Sequence, residues 1–448
     1  MGKQLKIGCG AGYAGDRIDP AVDLVRDGDL DYLVLECLAE RTVALAHLER
    51  SRDPSRGYGQ LLEERMAALL PYVKKKKTKI ITNLGAANPK AALEKTAEIA
   101  RKLAIGPLKI AALLGADVLP VLQEMDGLIW ETGTSFSSMA GRVVSADAYL
   151  GADAILPALE AGADVILTGR VADPSLFLAP MIHEFGWKLD DWNRLGQGTV
   201  VAHLLECGAQ VTGGYFADGI RKRVDNLADI GFPLAQVDGN GSGIITKLEE
   251  SGGIVDLRTC KEQLLYEIHD PSAYLTPDVT ADFTAVTLLE KGRDRVLVDG
   301  GAGRPRPESF KVTVGVLEGY LGEGLIGFAG HGAVERALLA REILEKRFSR
   351  LALDLDKTKF ELIGINALHG HIGDQSNQRP YEVMLRMAVK GKNEAAAQQA
   401  VQEVEALWVN GPGGPGGVRK HVAPLVAAYS TTVSRRDVNP YFIYEELA

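Results

Sequence analysis

The chain has 448 residues, 46% hydrophobic and 24% charged, with 50 glycines and a net charge of −9. On a prior of about 150 residues per domain this suggests two or three domains, each able to bury a core. The acidic balance excludes a protein that grips nucleic acid through clustered Lys and Arg. The four cysteines lie far apart with no CxxC pair, which reads as buried thiols and not as a zinc site or disulfide framework. The start, Met1-Gly2-Lys3-Gln4-Leu5, lacks the apolar core of a signal peptide, and no stretch is apolar enough to span a bilayer, so the expected location is cytoplasmic.

In chain order, short apolar runs at 6–9, 32–35, 79–82, 109–114, 164–168 and 209–212 alternate with helical patterns, the signature of βαβ units. They predict an α/β domain over 1–282 with a mostly parallel sheet covered by helices on both faces. The basic run 74–77 reads as a solvated loop entering a strand. Asn88-Pro89 and Asp173-Pro174 each look like an N-cap followed by a first-turn proline, opening helices at 90–103 and 175–184. A further helix is expected over 147–161. Residues 218–282, rich in Gly, Asp and Pro, read as an elaboration of this domain. A smaller mixed α+β domain follows over 283–448. Its strands are expected at 285–290, 309–316, 324–327, 360–365 and 381–389, with helices at 333–347 and 392–407.

The string Ala161-Gly162-Ala163-Asp164-Val165-Ile166-Leu167-Thr168-Gly169-Arg170-Val171-Ala172-Asp173 closely resembles the acyclic terpene utilisation (AtuA) family. So do Ala148-Tyr149-Leu150-Gly151-Ala152, His203-Leu204-Leu205-Glu206-Cys207-Gly208, Asp31-Tyr32-Leu33-Val34-Leu35-Glu36 and Lys261-Glu262-Gln263-Leu264-Leu265-Tyr266-Glu267. The resemblance covers nearly the whole chain. It implies a role in bacterial catabolism of branched acids alongside acyl-CoA enzymes, and it supplies no catalytic residue. It also implies a short form lacking the C-terminal ferredoxin-like domain. A separate small ferredoxin-like-fold subunit and a homo- or hetero-oligomer would follow. Where the family pattern looks like Asn-Ala-Gly-Gly, this chain has Asn83-Leu84-Gly85-Ala86.

The candidate chemistry sits at predicted strand ends, where open α/β sheets bind ligands. Arg170, with Thr168 beside it, leaves the strand at 164–168 placed to clamp a carboxylate or phosphate, or to form a structural ion pair. Asp173 reads as a helix cap before it reads as a base. The turn Gly10-Ala11-Gly12-Tyr13-Ala14-Gly15-Asp16-Arg17 has dinucleotide-type glycine spacing, but Asp16 stands where a phosphate would approach. A small-acid or acyl-CoA site therefore fits at least as well as NAD, with Gly12 and Arg17 as contacts. Glu36, Glu40 or Asp16 could serve as general base beside Asn83, an amide donor to a developing oxyanion; Glu40 could equally pair with Arg41 or Arg17. His203 and Glu206, three apart on a helix, suit acid–base work better than metal binding. His369-Gly370-His371 with Asp374, and the Gly/Pro-rich 410–417, read as loops.

The expected function is a lyase, a hydratase or dehydratase, acting on a branched or unsaturated carboxylic acid or its CoA thioester. Coenzyme A enters only as part of the substrate, with no metal. The alternative is a non-catalytic binding or assembly subunit of an acyl-CoA-processing complex.

Overall fold

The computed structural model describes residues 3–370 and 379–448, so His371 and Asp374 lie outside the described residues. The chain divides into two units, Met1–Gly315 with Ala428–Ala448, and Val316–Ala427. The first unit runs to Gly315, and the chain returns to it at Ala428.

The first unit is built on a ten-stranded sheet. Its centre is five strands: β1 (Gln4–Ala11), β2 (Tyr32–Leu35), β3 (Lys79–Thr82), β4 (Leu108–Leu114) and, after β5 (Val143–Ala148) outside this sheet, β6 (Val165–Leu167). They run parallel in the order β1-β2-β3-β6-β4. All four residues of β2, Tyr-Leu-Val-Leu, are buried, as a strand covered on both faces requires. Leu33 and Leu35 join a core with residues of the helices Asp19–Asp27, Leu62–Lys76 and Pro89–Lys102. On the opposite face Tyr32 donates its hydroxyl to Glu184 of the helix Asp173–Phe185 at 2.6 Å.

The expectation of a mostly parallel sheet is corrected to a mixed one. Beyond β1, the strands β7 (Leu234–Asp238), β8 (Gly243–Thr246), Arg295–Asp299 and Thr287–Gly292 are antiparallel, and at the other edge Tyr441–Leu447 pairs antiparallel with β4. Hairpins and a returning C-terminal strand carry no βαβ signature, so the sequence pattern registers only the parallel centre.

Three local expectations also change. The helix at 147–161 becomes β5, a short turn at Ala152–Ala154 and a helix at Leu156–Glu160. Pro157 takes the first-turn place of the short helix, where its missing N–H costs no hydrogen bond. Asp147 lies on β5, where its Oδ1 is 3.0 Å from His47 Nε2. The strand at 209–212 is instead a 3-10 turn, Gly208–Gln210, entered through Gly208 at φ +56°. The basic run is the last turn of Leu62–Lys76, ended by Lys77 at φ 59°. There cations face the negative end of the helix dipole, and Lys74 Nζ pairs with Asp164 at 2.8 Å.

The helix Trp192–Glu206 packs on β1, β7, β8 and Arg295–Asp299. A three-stranded sheet, Ala302–Arg304, Thr280–Asp282 and Tyr274–Leu275, lies against that helix and sets Tyr274 beside His203.

In the second unit the helices Ala333–Leu351 and Glu394–Asn410 pack on the face of strand Glu382–Gly391 that carries Val383, Leu385, Met387 and Val389. The sheet order is Leu355–Ile363, Glu382–Gly391, Ser309–Ala329, Pro415–Ser434. Its alternate face is polar: Arg386 Nε donates to Glu323 at 2.5 Å, and Lys390 pairs with Glu318 at 2.8 Å. Strands expected at 309–316 and 324–327 are one continuous strand. The Gly/Pro-rich run expected to be a loop over 410–417 turns into strand at Pro415. No helix among the described residues is long and apolar enough to cross a membrane.

Candidate functional site

The carboxyl ends of the central parallel strands open onto a cavity of about 860 Å³. Its wall includes Gly12 and Asp16 after β1, Glu36 and Glu40 after β2, Asp173 at the start of its helix, Glu206 and Cys207 at the end of theirs, and Glu267. A smaller cavity of about 450 Å³ adjoins it, sharing Glu40, Asp173 and Glu267 and adding Arg170, Tyr149 and Lys311.

The floor is tied together by buried polar bonds. Glu36 Oε1 accepts the Leu38 N–H at 2.8 Å and Asn83 Nδ2 at 2.9 Å, while Asn83 Oδ1 accepts the Cys37 N–H at 2.6 Å. Asn83 is fully buried and spends its amide on Glu36, so it positions that carboxyl from behind and does not itself face the cavity. Asp16 Oδ2 accepts the Gly12 N–H at 2.9 Å, which uses internally the amide that the glycine turn was expected to lend to an anion. Gly12 itself is pressed against the chain after Trp192–Glu206: a Cβ there would stand 2.3 Å from the carbonyl carbon of Cys207. Arg17 turns away, donating to the Ala228 carbonyl at 2.8 Å. Thr168 is buried at the end of β6 and donates to the Gly169 carbonyl at 3.0 Å.

Arg170 is 2% exposed. It donates Nη1 to the Leu38 carbonyl and Nη2 to Asp173 Oδ1 at 2.8 Å, and lays its guanidinium 4.1 Å from the Tyr149 ring centre. Burial works against the cation, yet Asp173, Tyr149, Glu40 and Glu36 together keep it charged. Asp173 is therefore not the helix cap expected from its place before Pro174. Ala172 holds the cap position, and the Asp173 carboxylate turns back three residues to the arginine. Tyr149 also donates its hydroxyl to Glu40 and accepts from Thr313 Oγ1 at 3.2 Å.

His203 is buried beside one polar partner. Its Nδ1 is 2.8 Å from Glu206 Oε1, and its ring packs 5.8 Å from Tyr274 and 5.7 Å from Phe283. His203 Nε2 and Glu206 Oε2 are buried with no hydrogen-bond partner among the described residues. Glu206, but not His203, reaches the cavity wall.

The acids of this wall are pushed in opposite directions. Burial drives Glu206 up to about 7 despite its histidine partner, with Asp173 and Glu267 adding repulsion. Burial likewise raises Glu36 and Asp173, each against the pull of Arg170. Glu40 goes the other way: burial opposes its charge, but Arg170, the Tyr149 hydroxyl and Lys311 bring it down to about 2.

Thus Gly12, Asp16, Glu36, Glu40 and Asp173 share one cavity, Arg170 lines the adjoining one, and Asn83, Thr168 and His203 stand behind the wall. Sequence reasoning missed Tyr149, Glu267, Lys311 and Arg65. Tyr149 and Glu267 lie inside blocks that carry the family resemblance, which is the signal that could have found them. Arg65 is fully buried, donating to Cys37 Sγ at 2.5 Å and to the Asp16 carbonyl at 3.1 Å, so it pins the loops after β1 and β2 to one another. Among the described residues no group of three His, Cys, Asp or Glu side chains is arranged to hold a metal ion.

No curated protein and no solved structure matches the chain. The family model described as acyclic terpene utilisation family protein AtuA matches residues 5–444, and the chain belongs to that family.

Proposed function

We propose that this chain is a lyase that adds or removes water on a branched or unsaturated carboxylic acid or its CoA thioester. The observation that carries this reading is the divergence of the carboxyl groups around one cavity, Glu40 held ionised while Asp173 and Glu206 are held toward the protonated form. Environments that push neighbouring acids apart create separate acid and base roles. In dehydration the ionised Glu40 takes the proton α to the carbonyl. Protonated Asp173 gives its proton to the departing hydroxyl as the C–O bond breaks and the C=C bond forms. Arg170, fixed by Tyr149 and Leu38, supplies the positive field for the enolate. Hydration runs the same steps in reverse. The small ferredoxin-like-fold subunit and assembly into a homo- or hetero-oligomer belong to this proposal.

The test is incubation in H₂¹⁸O with a panel of branched unsaturated acids and their CoA thioesters, with and without the small subunit, read by mass spectrometry. Wild type is expected to incorporate ¹⁸O, and Glu40→Gln and Asp173→Asn to slow it by about 10²–10⁴-fold, the usual worth of a positioned acid or base. Absence of incorporation in every combination would favour a non-catalytic assembly subunit.

A further inference from the structure

The smaller cavity contains two cations of unequal availability. Arg170 is committed: both terminal nitrogens are hydrogen-bonded and its face is stacked on Tyr149. Lys311 is not. Its Nζ stands 3.6 Å from Glu40 Oε1 and 4.8 Å from the centre of the Tyr149 ring, and its side chain is 42% exposed. Neither contact is short enough to be a hydrogen bond, so the three N–H donors of the ammonium are held near the cavity without being used up. Trp130, Leu275 and Phe310 form the apolar part of the wall, opposite the carboxyls of Glu40, Asp173 and Glu267. A cavity of a few hundred cubic ångströms that joins an apolar patch to a few placed polar groups is the common form of a site for an amphipathic small molecule.

We propose that Lys311 is the anchor for the carboxylate of an otherwise apolar ligand whose hydrocarbon lies against Trp130, Leu275 and Phe310. The role given to Arg170 by its place at the strand end passes to a lysine from a distant part of the chain. Arg170 keeps the fixed positive field behind the wall. The inference rests on the functional reading above and narrows it. A free acid offers Lys311 a charge at the reactive end, whereas a thioester offers none there.

The experiment is calorimetric binding of 5-methylhex-2-enoate and of its uncharged primary amide to wild type, Lys311→Met and Lys311→Arg. Wild type is expected to prefer the acid by about tenfold or more. Lys311→Met should lose that preference while binding the amide as wild type does, and Lys311→Arg should retain it within a few fold. The unchanged amide affinity certifies a folded cavity. Equal affinity of wild type for acid and amide, a preference that survives in Lys311→Met, or no binding of either compound to wild type would overturn the assignment. Turnover is not read. Loss of ¹⁸O incorporation with intact acid binding would therefore sink the proposed reaction and leave this site standing.

Discussion

Replacing Glu206 by Gln tests the electrostatics of the site without reference to any substrate. A carboxyl whose folded-state value is raised stabilises the fold fully below its ordinary value of 4.5 and loses that contribution as pH rises through about 7. The gap between 4.5 and about 7, at about 1.4 kcal/mol per unit, sets a ceiling of about 3 kcal/mol on the loss. Because Glu206 is tightly coupled to its partner at 2.8 Å, about 1–3 kcal/mol is the expected range. A glutamine keeps an oxygen for His203 Nδ1 and places an amide where Oε2 already lacks a partner, so the geometry survives. The measurement is urea unfolding of both proteins at pH 5, 6, 7 and 8, following a probe in the first unit. Other titrating groups, such as Asp278, raised by burial to about 6, are common to both proteins and cancel in the difference. Wild type should weaken relative to Glu206→Gln as pH rises. Parallel curves from pH 5 to 8 would refute the argument that burial forces this carboxyl toward protonation.

Gly12→Ala should cost at least about 2 kcal/mol, because its Cβ would meet backbone atoms of Cys207 and Gly208 at 2.3–2.6 Å and neither is a yielding side-chain tip. Chemical denaturation measures the loss; a variant as stable as wild type would show that the two loops are not in contact. Tyr149→Phe removes a donor from Glu40 and an acceptor from Thr313. The Glu40 carboxyl should then titrate above its present value of about 2, detected by NMR of ¹³C-labelled glutamate. Since Glu40 is depressed, its stabilisation exists above pH 4.5 and fades as pH falls, so the stability gap between wild type and variant should narrow in acid. Solvent at this 42% exposed group limits that part to about 1 kcal/mol.

The parallel centre was legible because strands covered on both faces need uninterrupted apolar runs, and β2 and β3 fall on the residues expected. The antiparallel flanks were not, because an edge strand such as Tyr441–Leu447, with partly exposed residues throughout, has no such run. Strand ends located Glu36, Asn83 and Arg170 at the correct edge, since position along a parallel strand is a local property. Partnerships were not local. Asp173 matched the rule for a helix cap, and only the fold reveals that a buried guanidinium three residues earlier outbids the helix amides. Tyr149 and Lys311 reach the same carboxylate, Glu40, from more than one hundred residues away, a meeting no spacing rule encodes.

The pairing of Tyr441–Leu447 with β4 has a consequence for biosynthesis. On the ribosome, Leu108–Leu114 emerges more than three hundred residues before its outer neighbour, while both strand partners of Glu382–Gly391, Ser309–Ala329 and Leu355–Ile363, have already emerged before it. The later-encoded unit can therefore complete its sheet interior first, and the ten-stranded sheet keeps one raw edge until Tyr441–Leu447 emerges, a stretch of time in which chaperones have a defined strand to shield.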